Sequence, residues 1–199
     1  LTRALSIGGA PHFGTILRQP ADLSDDELRR ASVVLLNAVD VPTGLGRRLG
    51  RFVQEGGGLF VVAGPRATWP QEADVLPASL SQMIDRSRGE SGRVGALEYG
   101  HPVFEIFRAP RSGDFSSARF YAYRSVSALP ASQVLARFDA GTPALVERKL
   151  GAGRVLLWAS TLDLSWSDLP LKPVFLPFIH SVVDDGAVRL AQRPSIVAS

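Results

Sequence analysis

The densest run of reactive side chains is Ser160-Thr161-Leu162-Asp163-Leu164-Ser165-Trp166-Ser167-Asp168. Hydroxyls and carboxylates at this spacing, joined by His101 or His180, supply the residue types of a Ser-His-Asp hydrolase or of an acid–base pair. Asp163, Asp168 and His101 are the candidate acid–base groups, and Trp166 is a candidate pocket wall. A plainer reading competes at each position. Asp and Ser ahead of a helix are ordinary caps, and "SDLPLKP" is a sequence that opens a helix. His180 falls inside an apolar helical run and reads as structural, and His101 precedes Pro102 in a loop and reads as a turn residue. No serine stands in a G-x-S-x-G elbow. The three histidines have no ligand spacing and cysteine is absent, so neither a metal nor a cofactor is expected.

The second chemical candidate is "FVQEGGGLFVVAGP", Phe52 to Pro65. Phosphate-binding glycines follow a strand and open a helix, so that the first helical amides face the ligand. Here the order is helix, glycines, strand, and the Lys and Ser/Thr of a P-loop are missing. Gly56 to Gly58 therefore read as a helix stop and a tight turn into a strand. "GAGR" at 151–154 also runs into a strand, as a hairpin turn does.

These residues are placed by alternating helices and buried strands. "GTILRQ" reads as a short strand. "LSDDELRRA" is a helix opened by a Ser24/Glu27 capping box. "SVVLLN" and "GLFVVAG" are continuous apolar runs, the pattern of strands buried on both faces. Between them a helix over about 44–55 puts Leu45, Leu49, Phe52 and Val53 on one face. Residues 65–118 form an irregular insertion, with a helix near 76–84, a loop at 87–93 and strands in "VGALEY" and "ARFYAYRSV". "SQVLARF" and "PALVERKL" form a strand pair, "GAGRVLLWAS" is a buried strand, and a helix covers about 173–183. Residues 1–190 read as one α/β domain with a mostly parallel sheet and antiparallel additions in its second half, and 191–199 as a tail.

An open parallel sheet binds ligands beyond the C-terminal ends of its strands. Three such ends are legible: Asn37 to Asp40, Ala63 to Arg66, and Ser160 to Asp163. Asn37, His101, Asp163, Trp166 and Asp168 are the candidate ligand-binding residues. Ala63, Gly64 and Pro65 offer no nucleophile, and Pro65 has no N–H for an oxyanion.

Composition narrows the partners. The 22 basic residues include only two lysines, Lys149 and Lys172, and the arginines are interspersed with acids. With a net charge of only +3 and no basic stripe, nucleic acid is not an expected partner. No run approaches the ~18 apolar residues of a membrane span.

Together, "LSDDELRRASVVLLNAV", "LGRRLGRFVQEGGGLFVVAGP", "HPVFEIF" and "TPALVERKLGAGRVLLWASTLDLSWSDLPLKPVFLPFIH" resemble the glutamine-amidotransferase-like domain of bacterial Bat-type, aerotolerance-regulator-like membrane proteins. More distantly the chain resembles the trehalose-utilisation proteins. The resemblance covers nearly the whole chain and is weakest over 66–93. It implies a three-layer flavodoxin-like sheet of the class I amidotransferase type, with its first strand before Leu1. It puts the nucleophile elbow at Ala63, Gly64 and Pro65, where no cysteine stands, so glutaminase activity is not expected. It further implies a domain of a membrane-anchored protein, extracytoplasmic, joined to the membrane through segments outside this chain and partnered by other envelope or membrane-complex proteins. The expected function is a non-catalytic amidotransferase-like module for protein interaction or ligand sensing. The alternative is a hydrolase, carbohydrate-directed for instance, using Asp163, Asp168 and His101.

Overall fold

A computed structural model describes residues 15–70, 73–109, 113–187 and 195–198. The segment 1–7, whose sequence "LTRALSI" reads as the tail of a helix, lies outside the described residues. The parallel half of the sheet uses β1 (Thr15–Arg18), β2 (Val33–Asn37), β3 (Gly58–Val62), β9 (Gly153–Trp158) and β10 (Ser195–Ala198). β5 (Val94–Leu97), β7 (Ser132–Phe138) and β8 (Pro143–Leu150) extend it antiparallel. The order is β1-β10-β2-β3-β9-β8-β7-β5. β4 (Ala78–Asp85) and β6 (Ala122–Ala128) form a separate antiparallel ribbon. The fold is thus mixed α/β around one large sheet whose central strands are parallel.

Local chemistry accounts for the first half. Helix α1 (Asp25–Arg30) opens on the expected capping box: the Glu27 N–H donates to Ser24 Oγ at 3.2 Å, and the Ser24 N–H donates to Glu27 Oε2 at 3.0 Å. Helix α2 (Thr43–Gln54) buries Leu45, Leu49, Phe52 and Val53. It stops where Gly56 turns left-handed at φ 111°, a conformation glycine adopts without cost. β2 and β3 are buried on both faces, which is why they read as unbroken apolar runs.

Helix α4 (Phe175–Ala187) lies against β2, β3 and β9. Its Phe178 ring sits 5.2 Å from Trp158 and 5.9 Å from Phe104 of the short helix α3 (Pro102–Glu105). Most of the buried apolar side chains, from Leu23 to Val197, make one contiguous cluster. Among the described residues no helix is long and apolar enough to cross a membrane.

Two segments depart from expectation. The helix expected over 76–84 is strand β4, paired with β6 from Ala78 opposite Ala128 to Asp85 opposite Ala122. A register shift between Leu80 and Met83 breaks its alternation, so the period-2 signal fails and only the distant partner settles its state. The expected tail contains β10, which inserts between β1 and β2 in parallel register, with Ile196 and Val197 buried. Four residues are too few to carry a periodic signal, and two parallel neighbours supply every ladder bond.

Candidate functional site

β2, β3 and β9 run in register, Leu36 beside Val61 and Val61 beside Leu157, so the three strand ends meet at one edge. Their exits are tied together. The Ala38 N–H donates to the Val62 carbonyl at 3.0 Å, and the Ala63 N–H donates to the Trp158 carbonyl at 2.8 Å. The left-handed residue at this edge is Ala38, at φ 56°, directly after β2; Ala63, Gly64 and Pro65 are not left-handed. Any side chain on Gly64 would overlap the Ala38 methyl, so the two exits are packed backbone to backbone. An alanine held at positive φ costs about 1 kcal/mol or more relative to glycine. Ala38→Gly, after the opposing gain in unfolded-chain freedom, is expected to raise the melting temperature by about 2 °C. A thermal scan checks this; a lower melting point would mean that the methyl contact matters more than the strain.

The expected polar residues do not converge. Asp163 is engaged locally: it accepts from the Ser165 N–H at 2.9 Å and from the Ser165 hydroxyl. Burial pushes its carboxyl up, but the bonds from Ser165 and Thr161 outweigh that and hold it below the usual carboxylate range. Asp168 accepts the Arg119 N–H at 2.6 Å and pairs with Lys172 at 2.9 Å. Trp166 is buried, and its carbonyl accepts from Tyr121 at 2.7 Å. Asn37 is half-buried at the end of β2.

His101 stands elsewhere. It caps α3, with Nδ1 accepting the Val103 N–H at 3.3 Å and Nε2 facing Glu147 Oε2 at 3.4 Å. Arg154 bridges Glu147 at 3.3 Å and Asp185 at 2.7 Å. Arg154 opens β9 while Asp163 follows its end, and Arg154 and Trp158 are on the order of 13 Å apart along the strand.

His101, Glu147 and Asp185 bring ligand atoms within 4.8 Å of one another, a spacing that suits a cation. The donor set does not. Accepting at Nδ1 leaves the imidazole proton on Nε2, where it faces Glu147 and leaves no lone pair for a metal. The Arg154 guanidinium already holds the position between the two carboxylates. The cluster is a buried ionic network.

The concave feature at the strand-end edge is a groove of about 570 Å³. One wall is the loop after β3, fastened to the β2 exit by the Asp40–Thr68 bridge. The other is the β4–β6 ribbon, fastened to β9 by the Arg124 N–H donating to the Ala159 carbonyl at 2.7 Å. Trp69 lines the groove half-buried, its indole N–H donating to the Ala73 carbonyl at 2.8 Å, which fixes the ring. Arg124 lines it too, and its Nε is buried with no hydrogen-bond partner among the described residues. Asp74, at the rim, is paired with Arg148 at 2.6 Å.

No protein family and no curated protein matches the chain in sequence. Solved structures do match. The cytoplasmic protein STM3548 of Salmonella typhimurium aligns with 81% of this chain and 74% of its own, at 18% identity and a TM-score of 0.65. The cytoplasmic protein STM1381 of Salmonella typhimurium LT2 aligns with 90% and 78%, at 20% identity and 0.58. A β-galactosidase from Bacillus circulans sp. alkalophilus aligns with 80% of this chain but 23% of its own, at 18% identity and 0.57. The likeness is one of fold.

These findings overturn two expectations. None of the matching structures named above is an amidotransferase or a Bat-type protein, and the expected family resemblance does not hold. Its motifs mark helix stops and buried strands, features any α/β sheet of this kind requires. The membrane-associated, extracytoplasmic placement came with that resemblance and goes with it. Two of the matching proteins are named as cytoplasmic, and no described helix is suited to span a membrane.

Sequence reasoning missed Trp69 and Arg124. Arg124 had one legible signal: no acidic residue lies between Asp114 and Asp139, so its charge has no local partner.

Proposed function

We propose that this chain is a non-catalytic ligand-binding module that serves ligand sensing or protein interaction through the groove beyond β3 and β9. The observation that carries the reading is Arg124, whose guanidinium makes no ion pair or hydrogen bond among the described residues and which lines the same groove as a fixed indole. The groove occupies the edge where open α/β sheets hold their ligands. The acid–base groups nearby are already engaged: Asp163 by Ser165 and Asp168 by Arg119 and Lys172. His101, which a hydrolase at this edge would need, serves the distant ionic network. The same proposal gives the chain a flavodoxin-like, three-layer arrangement. It is supported by α2 and α4 both contacting β3 and β9 while β3 is buried on both faces.

Incubation with p-nitrophenyl glycosides and esters is the test. No turnover above the buffer blank is expected. Turnover abolished by Asp163→Asn or Asp168→Asn would overturn the reading and establish a hydrolase instead.

A further inference from the structure

We infer that the groove selects a small monoanionic carboxylate carried on a flat or ring-shaped apolar body. The inference rests on the binding-module reading and adds the ligand class.

The charge requirement comes from Arg124. Its Nε is buried without a partner, and neither an ion pair nor a side-chain hydrogen bond engages its guanidinium among the described residues. Arginine cannot shed its charge, and this guanidinium has no counter-ion among the described residues, so an anion entering the groove supplies one to the part of the fork that faces it. The forked N–H pattern of a guanidinium matches the two oxygens of a carboxylate. One cation balances one negative charge. The other acidic and basic groups at the groove, Asp74 and Arg148, neutralise each other through two contacts at 2.6 and 3.2 Å. A dianionic phosphate would therefore bring a second charge with nothing to balance it, close to the Asp74 carboxylate.

The shape requirement comes from the rest of the lining. Trp69 spends its N–H on the Ala73 carbonyl, so what it offers a ligand is ring surface. Ala67, Val75, Leu76, Leu80 and Leu129 supply the apolar part of the lining, with the Thr68 and Ser79 hydroxyls beside them. At about 570 Å³ the space falls within the range that accommodates small organic ligands.

Benzoate and its neutral isostere benzamide, with inorganic phosphate as competitor, are suitable probes for the full chain. Binding is followed by calorimetry and by indole emission in wild type, Arg124→Gln and Trp69→Phe. Circular dichroism establishes that the variants fold. Benzoate is expected to bind saturably, and Arg124→Gln to weaken it by about tenfold to a hundredfold, the effect of losing a charge-assisted hydrogen bond. Trp69→Phe is expected to remove the emission change. Phosphate is expected not to compete. Benzamide binding as tightly as benzoate, or Arg124→Gln binding benzoate like wild type, would overturn the anion selectivity and leave a binding groove in place. Competition by phosphate would overturn the choice of carboxylate. Failure of both ring compounds to bind would sink this inference, and hydrolysis of the chromogenic substrates would separately sink the reading beneath it.

Discussion

Replacing Arg154 with methionine is expected to lower the melting temperature by about 10 °C at neutral pH. Its guanidinium is the cation between two carboxylates, Glu147 and Asp185, that are 3% and 4% exposed. Asp185 Oδ2 already has no hydrogen-bond partner among the described residues, so no neighbour stands ready to replace the lost donor. Removing one member of such a buried set leaves uncompensated charge, at a cost of about 3–5 kcal/mol. For a domain of this size each kcal/mol corresponds to roughly 2–4 °C.

The pH dependence separates charge from packing. Burial pushes the Glu147 carboxyl up, but the His101 N–H facing it and the charges of Arg154 and Lys149 outweigh that, and the net shift is downward from 4.5. A carboxylate with a depressed native pKa contributes stability above its unfolded value and loses it as pH falls through the folded value. The Arg154→Met deficit is therefore expected to be full at pH 7 and to shrink below about pH 4.5, as Glu147 takes up a proton and no longer needs a cation. Urea titrations at pH 7 and pH 3.5 check this. An equal deficit at both would assign Arg154 a packing role only.

Phe178→Ala is expected to be as damaging, by a different route. The ring is fully buried and touches Phe104, Phe115 and Trp158, with centroids 5.9, 5.4 and 5.2 Å away. It is the point where α4, α3 and the sheet meet. Truncation leaves a cavity that the rigid strand beneath cannot fill, and costs about 3–5 kcal/mol. Unlike the Arg154 variant, the loss should not depend on pH between 3.5 and 7. Phe178→Leu should recover more than half of it, since leucine refills much of the space. Denaturant titration of the two variants reads both points directly. A Phe178→Ala midpoint within error of wild type would contradict the assignment of this ring to the core junction.

Much of the first half was legible because its signals are local. Ser24 and Glu27 reach each other within one helical turn, Gly56 reports its own backbone angle, and β2 and β3 advertise burial through unbroken apolar runs. The pairing of Arg154 with Glu147 and Asp185 was not legible, since those residues come from two strands and a helix brought together only by the fold. β4 failed for a similar reason: its state is set by β6, some forty residues away, across a register shift. At the site, the strand-end rule indicated the right edge but favoured polar residues. Asp163 and Asp168 are polar because they tie loops together. The proposed groove instead uses Trp69, an ordinary loop aromatic in sequence, and Arg124, whose meaning depends on having no partner among the described residues. Family-like motifs misled because they encode sheet architecture, which unrelated chains share.

The most direct test of the central claim, that ligands are held in the groove between Trp69 and Arg124 and not at the buried His101–Glu147–Asp185 cluster, is an amide chemical-shift map of the labelled protein titrated with benzoate. Saturable shifts concentrated in residues 67–80 and 124–129 are predicted. Shifts centred on residues 101, 147 and 185, with the groove silent, would contradict it.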